Sequence, residues 1–426
     1  IPICLETLFY MLSGMVDALM LSAVGDYAVG AVGTANSYIG IFIIMFSIIS
    51  SGMVSVMTQN IGAGRPGVAY QARQLGLLFN AVAGVLMAVF LFSGAGAILR
   101  MVGIADALYE PALIYLKIVG GGCILNAVIP IFSSYLRAFG YTKQPLYATI
   151  VGNIANFVMN AVFLFVLHKG VAGVATATVI SKILNLCIVL YFSHKLISAK
   201  NSTERIANKT VLGQIVKVGL PSACETALYN VAMMLVIRFL NQMDAEGLNV
   251  TARSYTATIS NFSYCVGAAL AQANAIMTGW HIGAGELEEC DRGTKRAAFV
   301  GVCVAVCMET AIVLGSGFIM PLFTDNPEMT ALVRKLLAID IVLEIGRVTN
   351  LVFGQALKTS GDAVFPAVIA AVFMFVFAVG GTWLFGISMG LMAVGAYIGL
   401  ASDECVRAVG MVWRWKTGKW RTKKLV

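Results

Sequence analysis

Residues 2–10 read Pro2-Ile3-Cys4-Leu5-Glu6-Thr7-Leu8-Phe9-Tyr10, and residues 221–229 read Pro221-Ser222-Ala223-Cys224-Glu225-Thr226-Ala227-Leu228-Tyr229. The shared pattern is Pro-x3-Glu-Thr-x2-Tyr, at an offset of 219. Further matches follow in the same order. Ile61-Gly62-Ala63-Gly64 returns as Ile282-Gly283-Ala284-Gly285, and Arg137-x2-Gly140-x4-Pro145 returns as Lys358-x2-Gly361-x4-Pro366, both at offset 221. Gly170 and Gly390 lie 220 apart. The chain is a duplication. In a membrane protein a half-chain repeat points to a transporter with its site at the repeat interface.

Composition makes it a membrane protein. Hydrophobic residues are 59% of the chain and charged ones 12%, about half the charged share of an ordinary soluble domain. Apolar runs and breakers predict an all-α, polytopic fold of twelve transmembrane helices. They fall near 1–22, 29–61, 74–99, 109–139, 145–167, 171–197, 214–240, 248–282, 294–323, 328–360, 364–385 and 390–415. The polar stretch around 198–213 divides them, giving an N-lobe (1–200), a connector (201–213), a C-lobe (214–415) and a basic tail (416–426). No cleaved signal peptide is seen. The chain starts without Met inside an apolar segment, so a preceding stretch is expected.

Basic residues set the orientation. Arg65, Arg73, Arg137, Lys143, Lys195, Arg205, Lys209, Arg292, Lys295, Arg296, Lys358 and the tail residues Arg414, Lys416, Lys419, Arg421, Lys423 and Lys424 share one side. The opposite connections carry Arg100 and Lys169 among the acids Asp106, Glu110, Asp325 and Glu328. The first side is therefore cytoplasmic, with both termini inside a plasma (inner) membrane. Six spans per half is an even number, so the lobes are parallel repeats with pseudo-symmetry about the membrane normal. The net charge of +8 follows from this topology and implies no nucleic-acid partner. The nine Cys residues show no CxxC spacing and the three His are scattered, so neither a metal site nor a disulfide framework is expected.

Charges inside spans are costly and usually functional. Glu6 and Asp17 are eleven residues apart. At about 100° per residue they share one helix face, separated by roughly 16 Å of rise. The repeat position of Asp17 is Val236, so this acid belongs to one lobe only, as a coupling site would. Capping at a helix break is the alternative. Glu6 and Glu225 are duplicated and read two ways, as a cavity pair for cationic substrates beside Tyr10 and Tyr229, or as inherited bonds to neighbouring helices. Asn156 and Asn160 are i, i+4 on one face. They suit either a cation shell or interhelical hydrogen bonds. Glu344, a further cavity candidate, is i, i+3 from Arg347 and so reads first as a neutralised pair. Asp403 and Arg407, at i, i+4, read the same way. Lys182, Arg253 and Glu309 are lone charges without an assigned role.

Several of these residues carry a family resemblance. Val16-Asp17-Ala18-Leu19-Met20 resembles the first-helix motif of the multidrug and toxic compound extrusion (MATE) transporters, within the MOP flippase superfamily. The two Gly-Ala-Gly turns, Leu136-Arg137-Ala138-Phe139-Gly140 with Leu357-Lys358-Thr359-Ser360-Gly361-Asp362, and Gly170-Val171-Ala172-Gly173 are similar to later family elements. The resemblance covers essentially the whole chain. It implies an antiporter with a cation-binding acid at Asp17, partners at Asn156, Asn160 and Thr178, and a second-lobe acid at Asp362. Asn160 stands where several members carry Asp, and Tyr229 stands at a seventh-helix Glu position.

The expected function is secondary antiport. Organic, often cationic, small molecules leave in exchange for H⁺ or Na⁺, by alternating access of two lobes in a monomer surrounded by membrane lipids. The alternatives are a lipid-linked precursor flippase and a non-transporting scaffold or receptor. No nucleophile–base set, phosphate loop or nucleotide-binding domain is present, so neither an enzyme nor a cofactor is expected.

Overall fold

The computed structural model describes residues 1–102, 104, 106–197, 204–244 and 247–426. The chain is all-α, with thirteen helices and no strand among the described residues. They are α1 (Pro2–Ser22), α2 (Asp26–Gly62), α3 (Pro66–Val102), α4 (Asp106–Gly121), α5 (Cys123–Ala138), α6 (Lys143–Ala161), α7 (Gly170–Leu196), α8 (Asn208–Met243), α9 (Leu248–Ala284), α10 (Leu287–Ile319), α11 (Pro327–Thr359), α12 (Val364–Phe373) and α13 (Met392–Lys416). A short π-helical turn extends α6 to Val166, and two π-helical stretches, Met374–Val379 and Thr382–Ser388, extend α12.

Twelve spans result because α4 and α5 make one broken crossing. The expected single helix over 109–139 is bent by 42° between Gly121 and Cys123. The run Gly120-Gly121-Gly122 explains the break, since consecutive glycines are poor helix formers. Eight helices are long and apolar enough to cross a membrane outright, and the bent pair makes a ninth. The remaining three are α9, α11 and α13. They carry Arg253, then Asp340, Glu344 and Arg347, then Asp403, Glu404 and Arg407. The longest helices have 37 residues, or about 55 Å, so they exceed a ~30 Å hydrocarbon core.

The sequence repeat is a repeat of backbone geometry. Gly64 and Gly285 have φ of 73° and 79°. Each closes its helix with the same two bonds. Arg65 N donates to Asn60 O at 2.8 Å and Gly64 N to Ile61 O at 3.0 Å, while Glu286 N donates to His281 O at 2.8 Å and Gly285 N to Ile282 O at 3.2 Å. This Schellman turn needs a left-handed residue, which glycine adopts without steric cost. Gly140 and Gly361 end α5 and α11 with the same bonding pattern.

The chain forms two compact units, Ile1–Gly219 and Leu220–Val426. The division falls inside α8, beside Pro221, later than the 201–213 connector expected from polarity. Residues 201–203 of that connector lie outside the described residues. The first part of α8 packs onto the first unit. A side chain on Gly52 would meet the backbone of Ile215, and one on Gly219 the backbone of Ile48. Gln71 anchors the approach to α8, donating to Ile206 O at 2.7 Å.

Each unit has its own apolar core. In the first, Phe46, Leu91, Leu99, Leu116 and Val174 are buried together. In the second, Val236, Leu240, Leu336, Leu337 and Tyr397 are. Close backbone contact sets α11 against α13. A Cβ on Gly346 would sit 2.7 Å from Cys405 N and 2.8 Å from Glu404 C. Gly346→Val is therefore expected to cost about 1–3 kcal/mol through overpacking, read as a lower unfolding temperature in detergent. An unchanged temperature would mean that the helices separate freely there. All nine cysteines are free thiols.

Candidate functional site

The first unit brings Asp17 and the α6 asparagines together. Asn160 Nδ2 donates to Asp17 Oδ1 at 2.7 Å and contacts Asn156 Oδ1 at 3.1 Å. Asn160 is fully buried, and its Oδ1 has no hydrogen-bond partner among the described residues. One turn earlier on the face, Asn153 Nδ2 donates to Phe9 O at 2.7 Å, fixing α6 against α1. Thr178 is less direct. Its hydroxyl donates to Val174 O, 2.9 Å away in its own helix, and the side chain faces Tyr115, which also lies near Asn36. Sequence reasoning missed Tyr115 and Asn36 and left Lys182 unassigned. Lys182 Nζ donates to Asn126 Oδ1 at 2.8 Å, within electrostatic reach of Asp17.

The repeated glutamates are each held by a repeated base. Arg137 Nη2 lies 2.5 Å from Glu6 Oε1, and Lys358 Nζ lies 2.8 Å from Glu225 Oε2. The duplication copied an acid on α1 or α8 together with its cation on α5 or α11. The signal was in the sequence, since Arg137 and Lys358 belong to the same repeat. What the sequence does not give is that they reach back to the opening turn of each half.

The second unit holds an open-mouthed cavity of about 560 Å³, within the range of small-molecule sites. Glu225 and Tyr229 line it, as do Met233, Tyr264, Asp340 and Arg347. Glu344 stands behind the wall rather than on it, with no exposed surface, and forms an ion pair with Arg347 Nη1. Tyr10 and Glu6 belong to the other unit and do not line this cavity. Sequence spacing anticipated both short-range pairs but not their fusion. Arg347 Nε also lies 3.7 Å from Glu404 Oε1, whose same oxygen is 2.8 Å from Arg407 Nη2. Arg407 in turn grips Asp403 with two bonds, at 2.6 and 3.1 Å. Asn350 Nδ2 donates to Glu404 Oε2 at 3.0 Å. The result is one buried ionic network joining α11 to α13. Charge-assisted bonds of this kind are strong, and within the network Glu344 Oε2 is left without a hydrogen-bond partner among the described residues.

Asp362, the second-lobe acid implied by the resemblance, lies away from the cavity at the end of α11. Arg414 holds it with two bonds, at 2.7 and 3.2 Å. The tail around it is folded back, with Trp420 stacked on Trp415 at 4.2 Å between ring centres. Among the described residues, no three His, Cys, Asp or Glu side chains converge as a metal site.

A family model, MatE, matches residues 2–162 and again 221–384. The chain belongs to the MatE family. It is therefore a multi-pass membrane transporter, and the two matches coincide with the two halves of the repeat. It is 32% identical to the uncharacterized transporter YisQ of Bacillus subtilis, over 99% of this chain and 94% of that protein. It is 20% identical to a probable multidrug resistance protein NorM of Thermotoga maritima, over 100% of this chain and 92% of that protein. The fold matches a crystal structure of MATE in the straight conformation with a TM-score of 0.88. That match is at 20% identity and covers 99% of this chain and 95% of that one.

Proposed function

We propose that this transporter is a secondary antiporter that exports organic cations in exchange for protons across the plasma (inner) membrane, with both termini cytoplasmic. The observation that carries the reading is Asp17, a carboxylate within a span, bonded to Asn160 at 2.7 Å and replaced by Val236 at the repeat position. An intramembrane acid with a hydrogen-bonded partner is suited to a proton relay. The amide nitrogen of Asn160, not its oxygen, faces Asp17. That bond fixes the carboxylate in place, and a proton can neutralise it without further oxygen ligands.

The cavity of the second unit supports the substrate class. Aromatic and Met side chains give an adaptable apolar wall, and the four carboxylates on it are matched by four basic side chains, leaving Asp340 as the lining acid that no ion pair engages and so the one open to a cation. The repeated Glu225 contributes to that wall although Lys358 holds it.

Reconstituted protein given a pH gradient alone is expected to drive efflux of a cationic dye. A Na⁺ gradient alone should give the rate of protein-free vesicles. Efflux driven by Na⁺ and indifferent to pH would overturn the choice of ion. No solute movement under either gradient would favour a scaffold.

A further inference from the structure

Among the described residues, Glu309 is a fully buried acid that no ion pair engages. It sits on α10, has no exposed surface, and neither carboxyl oxygen has a hydrogen-bond partner among the described residues. Around the second-unit cavity, six carboxylates (Glu225, Glu309, Asp340, Glu344, Asp403 and Glu404) face four cations (Arg253, Arg347, Lys358 and Arg407). The ion pairs engage Glu225 with Lys358, Glu344 with Arg347, Glu404 with both Arg347 and Arg407, and Asp403 with Arg407. Glu309 and Asp340 are the two acids left outside these pairs.

The groups around Glu309 form a short path to the cavity. Helices α9 and α11 pack on α10. From α11, Asp340, Glu344 and Arg347 act on Glu309. From α9, the neighbours are hydroxyls: Ser263 beside Glu309, and Ser260 one turn earlier. Arg253, also on α9, lines the cavity. Both serine hydroxyls, Asp340 Oδ2 and Glu344 Oε2 are buried and without hydrogen-bond partners among the described residues. Asp340 and Ser260 line the cavity while Glu309 and Ser263 do not. The order from outside in is cavity, Asp340 with Ser260, then Glu309 with Ser263.

We propose that Glu309 is a buried proton-binding site of the second unit, loaded and emptied through Asp340 and the cavity. A carboxylate with no counter-ion in contact and only a serine hydroxyl beside it is too costly to keep ionised inside a span, and such a group takes up a proton instead. A neutral carboxyl brings one O–H donor and spare acceptor sites, which complement the idle oxygens around it. The transfer is a simple exchange. The proton leaves a Glu309 oxygen for an Asp340 oxygen, Glu309 becomes the carboxylate, and the reverse step restores it. A cation entering the cavity beside Asp340 would favour ionised carboxylates and expel the proton. That use of the site rests on the antiport reading, whereas the proton on Glu309 does not.

The test is infrared difference spectroscopy of the reconstituted transporter across a pH step, following the carbonyl band of protonated carboxyls. Wild type should show a band from a buried, neutral carboxyl at neutral pH. Glu309→Gln should lose it, Glu309→Asp should shift it, and Asp17→Asn should keep it. A Glu309→Gln spectrum identical to wild type would overturn the proposal. If Glu309→Gln does not fold, an unshifted band in Glu309→Asp overturns it equally. A band present in protein that shows no proton-coupled transport would sink the antiport reading alone. Coupled transport with no Glu309 band would sink this site alone.

Discussion

Asp17→Asn should fold normally and lose coupling. The substitution keeps the shape and can still accept a hydrogen bond from Asn160, now 2.7 Å from the Asp17 carboxylate. It removes the charge and the titrating group. Dye efflux driven by a pH gradient should fall by more than about tenfold, equivalent to about 1.4 kcal/mol or more in the barrier. Binding of the dye in the absence of a gradient should change far less, since the cavity that would take it lies in the other unit. Wild-type efflux from the variant would remove Asp17 from the mechanism. Asn160→Ala is the milder companion. It leaves the acid but strips its donor, so efflux should weaken and its pH dependence should move.

Arg347→Ala should be the most destabilising single change in the second unit. Its guanidinium bonds Glu344, which has no exposed surface, and reaches Glu404 at 3.7 Å. Removing one partner of a buried pair leaves an uncompensated charge, typically at a cost of about 3–5 kcal/mol. Arg407 still serves Glu404 at 2.8 Å, so the loss falls mainly on Glu344. The double variant Arg347→Met with Glu344→Gln removes both charges together and should recover most of the stability. Thermal unfolding of the purified protein in detergent measures both. An Arg347→Ala protein as stable as wild type would mean that the network is solvated rather than buried.

The duplication was legible in the sequence, and so were the turns that end its helices. Gly64, Gly140, Gly285 and Gly361 recur in the chain because each must adopt a positive φ. Apolar runs and breakers together marked the twelve crossings but missed the bend at Gly121, since three glycines interrupt helix geometry without lowering hydrophobicity. Asp17, Asn156 and Asn160 could be placed by helical spacing because the relevant periodicity lies within single helices. The opposite fate of Glu6 and Glu225 has a physical reason. Their partners Arg137 and Lys358 lie more than 130 residues away in the chain, and only packing shows that they meet.

The lobes also differ more than the repeat suggests. Where the first unit has Asp17, the second has Val236, buried in its core. Where the second has Glu344 and Arg347, positions 221 residues back are Cys123 and Asn126. Duplicated residues build and lock the scaffold, and Asp17, Glu344 and Arg347, each present in one copy only, lie at or beside the two candidate sites.

In the proposed antiport, substrate and proton movements are obligatorily linked through this chain. Linkage works in both directions, so a substrate gradient must move protons as surely as a proton gradient moves substrate. Vesicles holding the transporter, a cationic substrate and a trapped pH indicator can be diluted into substrate-free buffer of equal pH and equal Na⁺. Under that linkage, substrate should leave, protons enter, and the lumen turn acidic in wild type but not in Asp17→Asn. Substrate leaving wild-type vesicles with no change in luminal pH would contradict it.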